Sequence, residues 1–348
     1  MTLLASAAAA PAPLVDPHGR RVSYLRLSVT DRCDFRCSYC MPENVAFLPK
    51  RDVLSLEELD AVARAFVRLG VSKLRITGGE PLVRRNVLSL FQSLGGLVGS
   101  GLRELTLTTN GSQLGRLAVP LYEAGVRRVN VSLDTLDPGR FGRLTRTGHL
   151  QPVLDGLAAA KAARLKVKIN AVVIKDFNED ELLDLVRWCG ARDFDITFIE
   201  VMPLGELTPG VRLSQYLSLA EVRRRLGEHL SLAPADKDTG GPSRYYFCEE
   251  TGGNVGFIAP MTGNFCDNCN RVRVTCTGTL YPCLGQNTAR SLRDIVRADP
   301  TADSPELEAA IRGAVARKPK GHDFALHHAL AGAADEVAVS RSMNTTGG

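Results

Sequence analysis

Short apolar segments of strand character recur at 23–29, 73–77, 104–108, 128–133, 166–173 and 195–201, with helix-period stretches between them. The first of those stretches opens with Ser55-Leu56-Glu57-Glu58, the spacing of a capping box. Pro152 stands at the first-turn position of another. Asn178-Glu179-Asp180-Glu181 places acidic residues at the positive end of a third. Strand–helix alternation of this kind gives a parallel sheet covered by helices. Six units curl into a partial (βα)6 TIM-like barrel of the α/β class, where chemistry collects at the C-terminal ends of the strands.

The residues that carry chemistry fall at those ends. Cys33-Asp34-Phe35-Arg36-Cys37-Ser38-Tyr39-Cys40 follows the first segment, Gly78-Gly79 the second and Thr108-Thr109-Asn110 the third. Ser132 and Asp134 lie at the fourth and Met202 after the sixth. Three thiolates from one tight loop suit a cubane iron–sulfur cluster with one iron left open. A zinc site remains the alternative, if a fourth ligand arrives from elsewhere. A second set, Cys266, Cys269 and Cys283, allows the same two readings, and Cys276 beside it is a candidate fourth zinc ligand.

Composition narrows the classes. A chain of 348 residues with nine cysteines is not a small disulfide scaffold, and six cysteines in two tight groups indicate metal ligation in a reducing compartment, hence the cytoplasm. Cys189, Cys248 and Cys276 are left over and read as small buried hydrophobes. A net charge of +5 is too small to argue for nucleic acid but suits an anionic small substrate if the cations converge. Arg26, Arg75 and Lys168 sit inside strand segments, where alternation turns each either to solvent or to the barrel interior; an inward arginine requires an anion. No stretch is long and apolar enough for a membrane span. Residues 1–20, rich in Ala and Pro with no Lys or Arg before Arg20, read as a flexible extension rather than a signal peptide. Residues 21–235 form the barrel unit. Within it 203–218 is loop-rich, and 219–230 is a basic amphipathic helix with a solvated charged face. Residues 236–348 form a smaller region over the barrel mouth, with short strands at 255–258 and 271–275. Its tail, Gly347-Gly348, reads from sequence alone as a frayed end.

Cys33, Cys37, Tyr39 and Cys40 together resemble the radical S-adenosylmethionine signature, and Gly78-Gly79-Glu80-Pro81 is similar to the turn with which that superfamily holds the methionine end of the cofactor. Phe265-Cys266, Cys269 and Asn270-Arg271-Val272-Arg273 resemble the auxiliary-cluster segment of the GTP 3′,8-cyclase family of molybdenum cofactor biosynthesis. The likeness extends from Tyr24 to Gly348. It implies two 4Fe-4S clusters, one on Cys33, Cys37 and Cys40 and one on Cys266, Cys269 and Cys283. It implies S-adenosylmethionine against Tyr39, Gly79, Ser132 and Met202. GTP would lie against Arg26, Arg75, Thr108, Lys168, Arg271, Val272 and Arg273, its base on the open iron of the second cluster. Thr108 is preferred to Thr109 by its spacing to Ser132.

The reaction implied is conversion of GTP to 3′,8-cyclo-7,8-dihydroguanosine 5′-triphosphate. Arg271 or Arg273 would assist, and Gly347 and Gly348 would reach into the site. An electron donor and a downstream cyclic pyranopterin monophosphate synthase are the implied partners, and a homodimer is the expected assembly. The sequence departs from the family at Cys276, where no cysteine is expected, and at Arg164, where glycine is usual. A peptide-modifying radical enzyme with an auxiliary cluster would lack the phosphate-binding cations and the terminal Gly-Gly. A zinc module gripping nucleic acid would show a basic exposed face.

Overall fold

Each of the six segments forms a strand: β1 Tyr24–Ser28, β2 Lys73–Thr77, β3 Glu104–Thr109, β4 Arg128–Ser132, β5 Lys166–Val173 and β6 Asp195–Glu200. The computed structural model describes residues 12–202, 214–263, 265–322, 324, 339, 341 and 343–347. Six later strands extend the same sheet: β7 Leu232–Pro234, β8 Arg244–Cys248, β9 Gly253–Ile258, β10 Arg271–Val274, β11 Thr279–Tyr281 and β12 Arg290–Ser291. The order is β12-β11-β10-β1-β2-β3-β4-β5-β6-β9-β8-β7, so the barrel stays open. Strand β10 runs parallel to β1 and β9 runs parallel to β6. The C-terminal residues thus lengthen the barrel wall at both edges.

Strand alternation sorts the two faces. Leu25, Leu27, Leu74, Ile76, Leu105, Leu107, Val129, Val131, Val167 and Ile169 belong to one apolar core. The intervening positions are polar and line the interior. Apolar burial under the helices holds the wall together, which frees the inner face for charge. The helix Leu56–Arg68 shows how the outer layer is specified. Ser55 Oγ accepts from Glu58 N at 3.1 Å and the Glu58 carboxylate accepts from Ser55 N at 2.6 Å, so both halves of the capping box form. Leu59, Val62, Ala63 and Phe66 recur at helical spacing and are buried.

Three local expectations are corrected. The helix Leu150–Ala162 begins two residues before Pro152, after His149. Asn178 opens no helix: its amide donates to Asp134 O at 2.8 Å and Val172 O at 2.9 Å, and the helix Leu182–Gly190 starts after Glu181. Glu181 is the N-cap residue of that helix, but its carboxylate makes no capping bond and accepts instead from Thr135 Oγ1 and Leu136 N. Ordered packing also starts before residue 21. Leu14 is buried, and the Arg20 guanidinium bonds Asp16 and the carbonyls of Cys266, Pro319 and Lys320. One apolar anchor and one ion pair inside an Ala/Pro-rich segment are invisible to composition. Residues 1–11 and most of the 203–218 loop lie outside the described residues. The basic helix, observed at Leu219–Gly227, does carry a solvated face, with Arg224 and Arg225 on Glu221.

Arg164 has a left-handed backbone, φ 64°. It is the residue after the cap of the helix Leu150–Ala162, and the two bonds Arg164 N to Lys161 O and Leu165 N to Ala160 O make a Schellman motif. That position favours glycine, and a side chain there costs about 1 kcal/mol. Because Arg164 is exposed, Arg164→Gly is expected to raise the thermal midpoint by roughly 1–2 °C, measured by calorimetry.

Candidate active site

The register sets the inner face. Arg273, Arg26 and Arg75 lie side by side across β10, β1 and β2, and Thr108, Asn130 and Lys168 across β3, β4 and β5. Arg26, Arg75, Lys168, Arg271 and Arg273 line one chamber together with Cys266, Cys269 and Cys283. Among the described residues no carboxylate lines that chamber. Burial depresses the basicity of Arg75, Lys168 and Arg273, and the neighbouring guanidiniums add to the effect at Arg273. Burial likewise brings Arg26 down to about 10. Lys168 Nζ donates to Tyr245 OH at 3.1 Å, and the Arg75 guanidinium stands 5.5 Å from the Tyr24 ring centre. Phenol and ring contacts do not replace an anion for so many desolvated cations. Several buried polar atoms on this face find no hydrogen-bond partner within the structure: Arg75 Nε, Thr108 Oγ1, both amide atoms of Asn130, and Asn170 Oδ1. Such atoms are normally satisfied, and a polar ligand would satisfy them.

A second chamber adjoins the first; Asn170, Ile199, Met202 and Met343 line both. Cys33, Cys37, Cys40, Tyr39, Gly79 and Ser132 open onto it. The glycine turn is dictated by the chain itself. A Cβ on Gly79 would lie 2.4 Å from Arg32 O, and Gly79 N donates to Thr30 O at 2.8 Å, so the turn packs directly under the cysteine loop. The loop is braced further by Asp34, which accepts from Asn110 Nδ2 at 2.7 Å and Ser112 Oγ at 2.6 Å. Buried Glu80 accepts from Asn110 N, Leu82 N and Thr109 Oγ1, and burial pushes its carboxyl up to about 7. Asp134, raised to about 6 by burial, takes the Tyr39 hydroxyl at 2.9 Å and Val172 N at 2.7 Å. Asp134 thereby fixes the tyrosine beside the cysteines.

The two cysteine sets differ electrostatically. Burial raises Cys33 and Cys37, as it does Cys266 and Cys283. At Cys269 burial acts in the same direction, but Lys318 and Arg271 outweigh it and bring the thiol down to about 7. Cysteine ligates as the thiolate and releases any remaining proton when a cluster assembles, so both donor sets fit one. Among the described residues no three His, Cys, Asp or Glu side chains form a group that could hold a single metal ion; a cubane takes each thiolate on a different iron. Cys276 is fully buried beside Asp31 and Arg84 and does not line the chamber that holds the second set. Cys189 and Cys248 are buried as well.

Thr108 and Thr109 separate by strand parity. Thr109 Oγ1 is committed to Glu80, whereas Thr108 Oγ1 is the unpartnered one. Val272 turns its side chain into the apolar core opposite Leu25, so it meets the chamber through its backbone. The tail enters the interior. Gly347 is buried at φ 75°, and its carbonyl accepts from Arg273 Nη1 and, at 3.4 Å, Arg26 Nη2. Asn344 Nδ2 anchors the tail on Asp31 O at 3.1 Å. Gly348 lies outside the described residues. Sequence reasoning missed Asp34, Glu80 as a brace, and Lys318. A lysine in Arg317-Lys318-Pro319-Lys320 carries no signal that distinguishes it from a solvated turn.

Residues 27–189 match the Radical SAM superfamily family model and residues 194–324 match Molybdenum Cofactor Synthesis C. A GTP 3′,8-cyclase of Paracoccus denitrificans is 59% identical over 341 residues, covering 97% of each chain. The chain belongs to the GTP 3′,8-cyclase family. Another family member, from Rhizobium etli, is 56% identical over 97% of this chain and 94% of its own. Among solved structures, Streptococcus suis SuiB bound to precursor peptide SuiA superposes with a TM-score of 0.60 at 17% identity, over 85% of this chain and 68% of SuiB. SuiB bound to S-adenosylmethionine gives 0.56 at 20% identity, over 85% and 69%. These likenesses establish the fold, the partial barrel of radical S-adenosylmethionine proteins.

Proposed function

We propose that this family member converts GTP to 3′,8-cyclo-7,8-dihydroguanosine 5′-triphosphate, the first step of molybdenum cofactor biosynthesis. The observation that carries the reading is the wall of desolvated cations, free of carboxylates among the described residues, between two three-cysteine sets. Cys33, Cys37 and Cys40 hold one 4Fe-4S cluster, and Cys266, Cys269 and Cys283 hold a second. When bound, the first cluster and S-adenosylmethionine would supply one-electron radical chemistry. The chain's own part is to position and enclose. Tyr39, Gly79, Ser132 and Met202 hold S-adenosylmethionine in the chamber over the first loop. Arg26, Arg75, Thr108, Lys168 and Arg271 hold GTP in the other, with Val272 through its backbone. Arg273 reaches both GTP and the Gly347 carbonyl, so it couples the tail to the occupied site. Holding the reacting atoms together in adjoining chambers supplies a large share of the rate enhancement.

Residues 21–235 and 236–348 serve as barrel and auxiliary-cluster region and share one sheet, and Leu14 to Arg20 pack against both. An electron donor feeds the site, cyclic pyranopterin monophosphate synthase consumes the product, and the enzyme works in the cytoplasm as a homodimer. Among the described residues no helix is long and apolar enough to cross a membrane. The direct test is turnover of GTP carrying deuterium at C3′. Deuterium recovered in 5′-deoxyadenosine, with a product of GTP composition, supports the reading; cofactor cleavage without deuterium transfer contradicts it. Arg75→Met is expected to raise the KM for GTP about 10–100-fold, the loss of one or two charge-assisted bonds. Affinity for S-adenosylmethionine, read by calorimetry, should be unchanged in that variant.

A further inference from the structure

Lys318 is 2% exposed. It follows the helix Pro305–Val315, whose Val315 carbonyl accepts its backbone N–H. From there the side chain runs inward and ends between Arg271 and Pro282, in the two segments that flank the second cysteine set. Its Nζ donates to Pro282 O at 2.7 Å and Arg271 O at 2.8 Å, and stands 3.4 Å from Cys269 Sγ. An ammonium has three protons and no acceptor capacity, and these three partners use all of them. Pro282 immediately precedes Cys283, and Arg271 is two residues after Cys269. One side chain therefore ties the backbone at both cysteines and points its remaining proton at a sulfur. Among the described residues it makes no ion pair with a carboxylate. A buried ammonium is costly unless each of its protons meets an acceptor, and Cys269 Sγ is the acceptor that meets the third. Arg20 reinforces the placement, since it binds Cys266 O together with Pro319 O and Lys320 O, the two residues after Lys318. The segment 318–320 is thus clamped to the second cysteine loop from both sides.

We propose that Lys318 is a positioning residue of the second iron–sulfur centre: its ammonium holds Cys269 and Cys283 in register and donates a charge-assisted N–H···S bond that stabilises the reduced cluster. The proposal rests on the reading that Cys266, Cys269 and Cys283 bind a cluster. Hydrogen bonds to sulfur and local positive charge both raise a cluster's reduction potential, and a partner that orients a ligand also slows metal loss.

The test uses full-length protein with Cys33, Cys37 and Cys40 replaced by alanine, so that only the second centre is loaded. Iron analysis comes first. About four irons per chain sustain the cluster reading, whereas zinc or no iron overturns that reading and the proposal with it. With iron present, Lys318→Met is expected to shift the midpoint potential to more negative values and to speed iron loss to a chelator several-fold. Lys318→Arg, which keeps charge and donors, should restore most of both. Unchanged potential and iron loss in a folded Lys318→Met protein overturn the proposal while leaving the cluster reading intact. Should Lys318→Met fail to fold, the same question is put to the otherwise unaltered chain in that background, labelled with 15N at lysine Nζ. Pulsed electron paramagnetic resonance of the reduced centre is expected to show coupling to a lysine nitrogen, and its absence overturns the proposal.

Discussion

Cys269→Ala is expected to abolish the cyclised nucleotide, by at least about a thousandfold, while 5′-deoxyadenosine formation stays measurable. The two chambers explain the split. Cys33, Cys37 and Cys40 open onto the one that also holds Tyr39, Gly79 and Ser132, and their bracing through Asp34, Glu80 and Asp134 involves no residue of the second cysteine set. Cys269 belongs to the chamber of the cations. Losing it removes the anchor for one end of the substrate but leaves cofactor cleavage intact. The check is parallel chromatography of nucleotide and nucleoside products from one reaction mixture. Normal product formation would remove the second centre from the mechanism.

Gly347→Ala is expected to lower turnover about a hundredfold, the loss that a displacement of about 1 Å near reacting groups produces. Gly347 has a left-handed φ of 75°, and a Cβ there would lie 2.0 Å from Thr77 Oγ1 and 2.8 Å from Thr77 Cβ. Thr77 is a buried strand residue in a sheet clamped on both sides, so the tail moves instead. Its carbonyl then leaves Arg273 and Arg26. The clash is confined to the last few residues, so the thermal midpoint should shift by no more than roughly 2 °C. Turnover at saturating GTP and S-adenosylmethionine, measured beside a melting curve, separates the two effects. Full activity would place the tail outside the working site.

How much of this was legible in sequence varies with the range of the interaction involved. Strand identity was local. In β2 and β5 the ends agree residue for residue with the apolar segments at 73–77 and 166–173. Alternation then put Arg26, Arg75 and Lys168 each on one face of its own strand, but whether that face met solvent or the interior depended on helices covering the other. Helix starts were less legible wherever a distant group captured the capping residue. Asn178 reads as a helix opener until Asp134 O and Val172 O claim its amide. Pairing across long separations left no trace in sequence at all. Nothing in 271–274 announces that β10 lies beside β1, yet that adjacency puts Arg273 next to Arg26. The Asp34–Asn110 brace and the Lys318–Cys269 contact are hidden for the same reason. Thr108 and Thr109 were separable only once the parity of β3 was fixed by its neighbours. Arg164 makes the converse case: its departure from glycine acquires a physical cost only when its left-handed backbone is seen.

The central claim is that one chamber system joins two iron–sulfur centres. The most direct measurement is iron and zinc content of the anaerobically reconstituted, otherwise unaltered protein, with reduction in the presence of S-adenosylmethionine and GTP as its functional companion. About eight irons per chain and no zinc, with 5′-deoxyadenosine and cyclised nucleotide formed together, is the predicted result. About four irons and one zinc would keep the first cysteine loop as described and contradict the account of Cys266, Cys269 and Cys283.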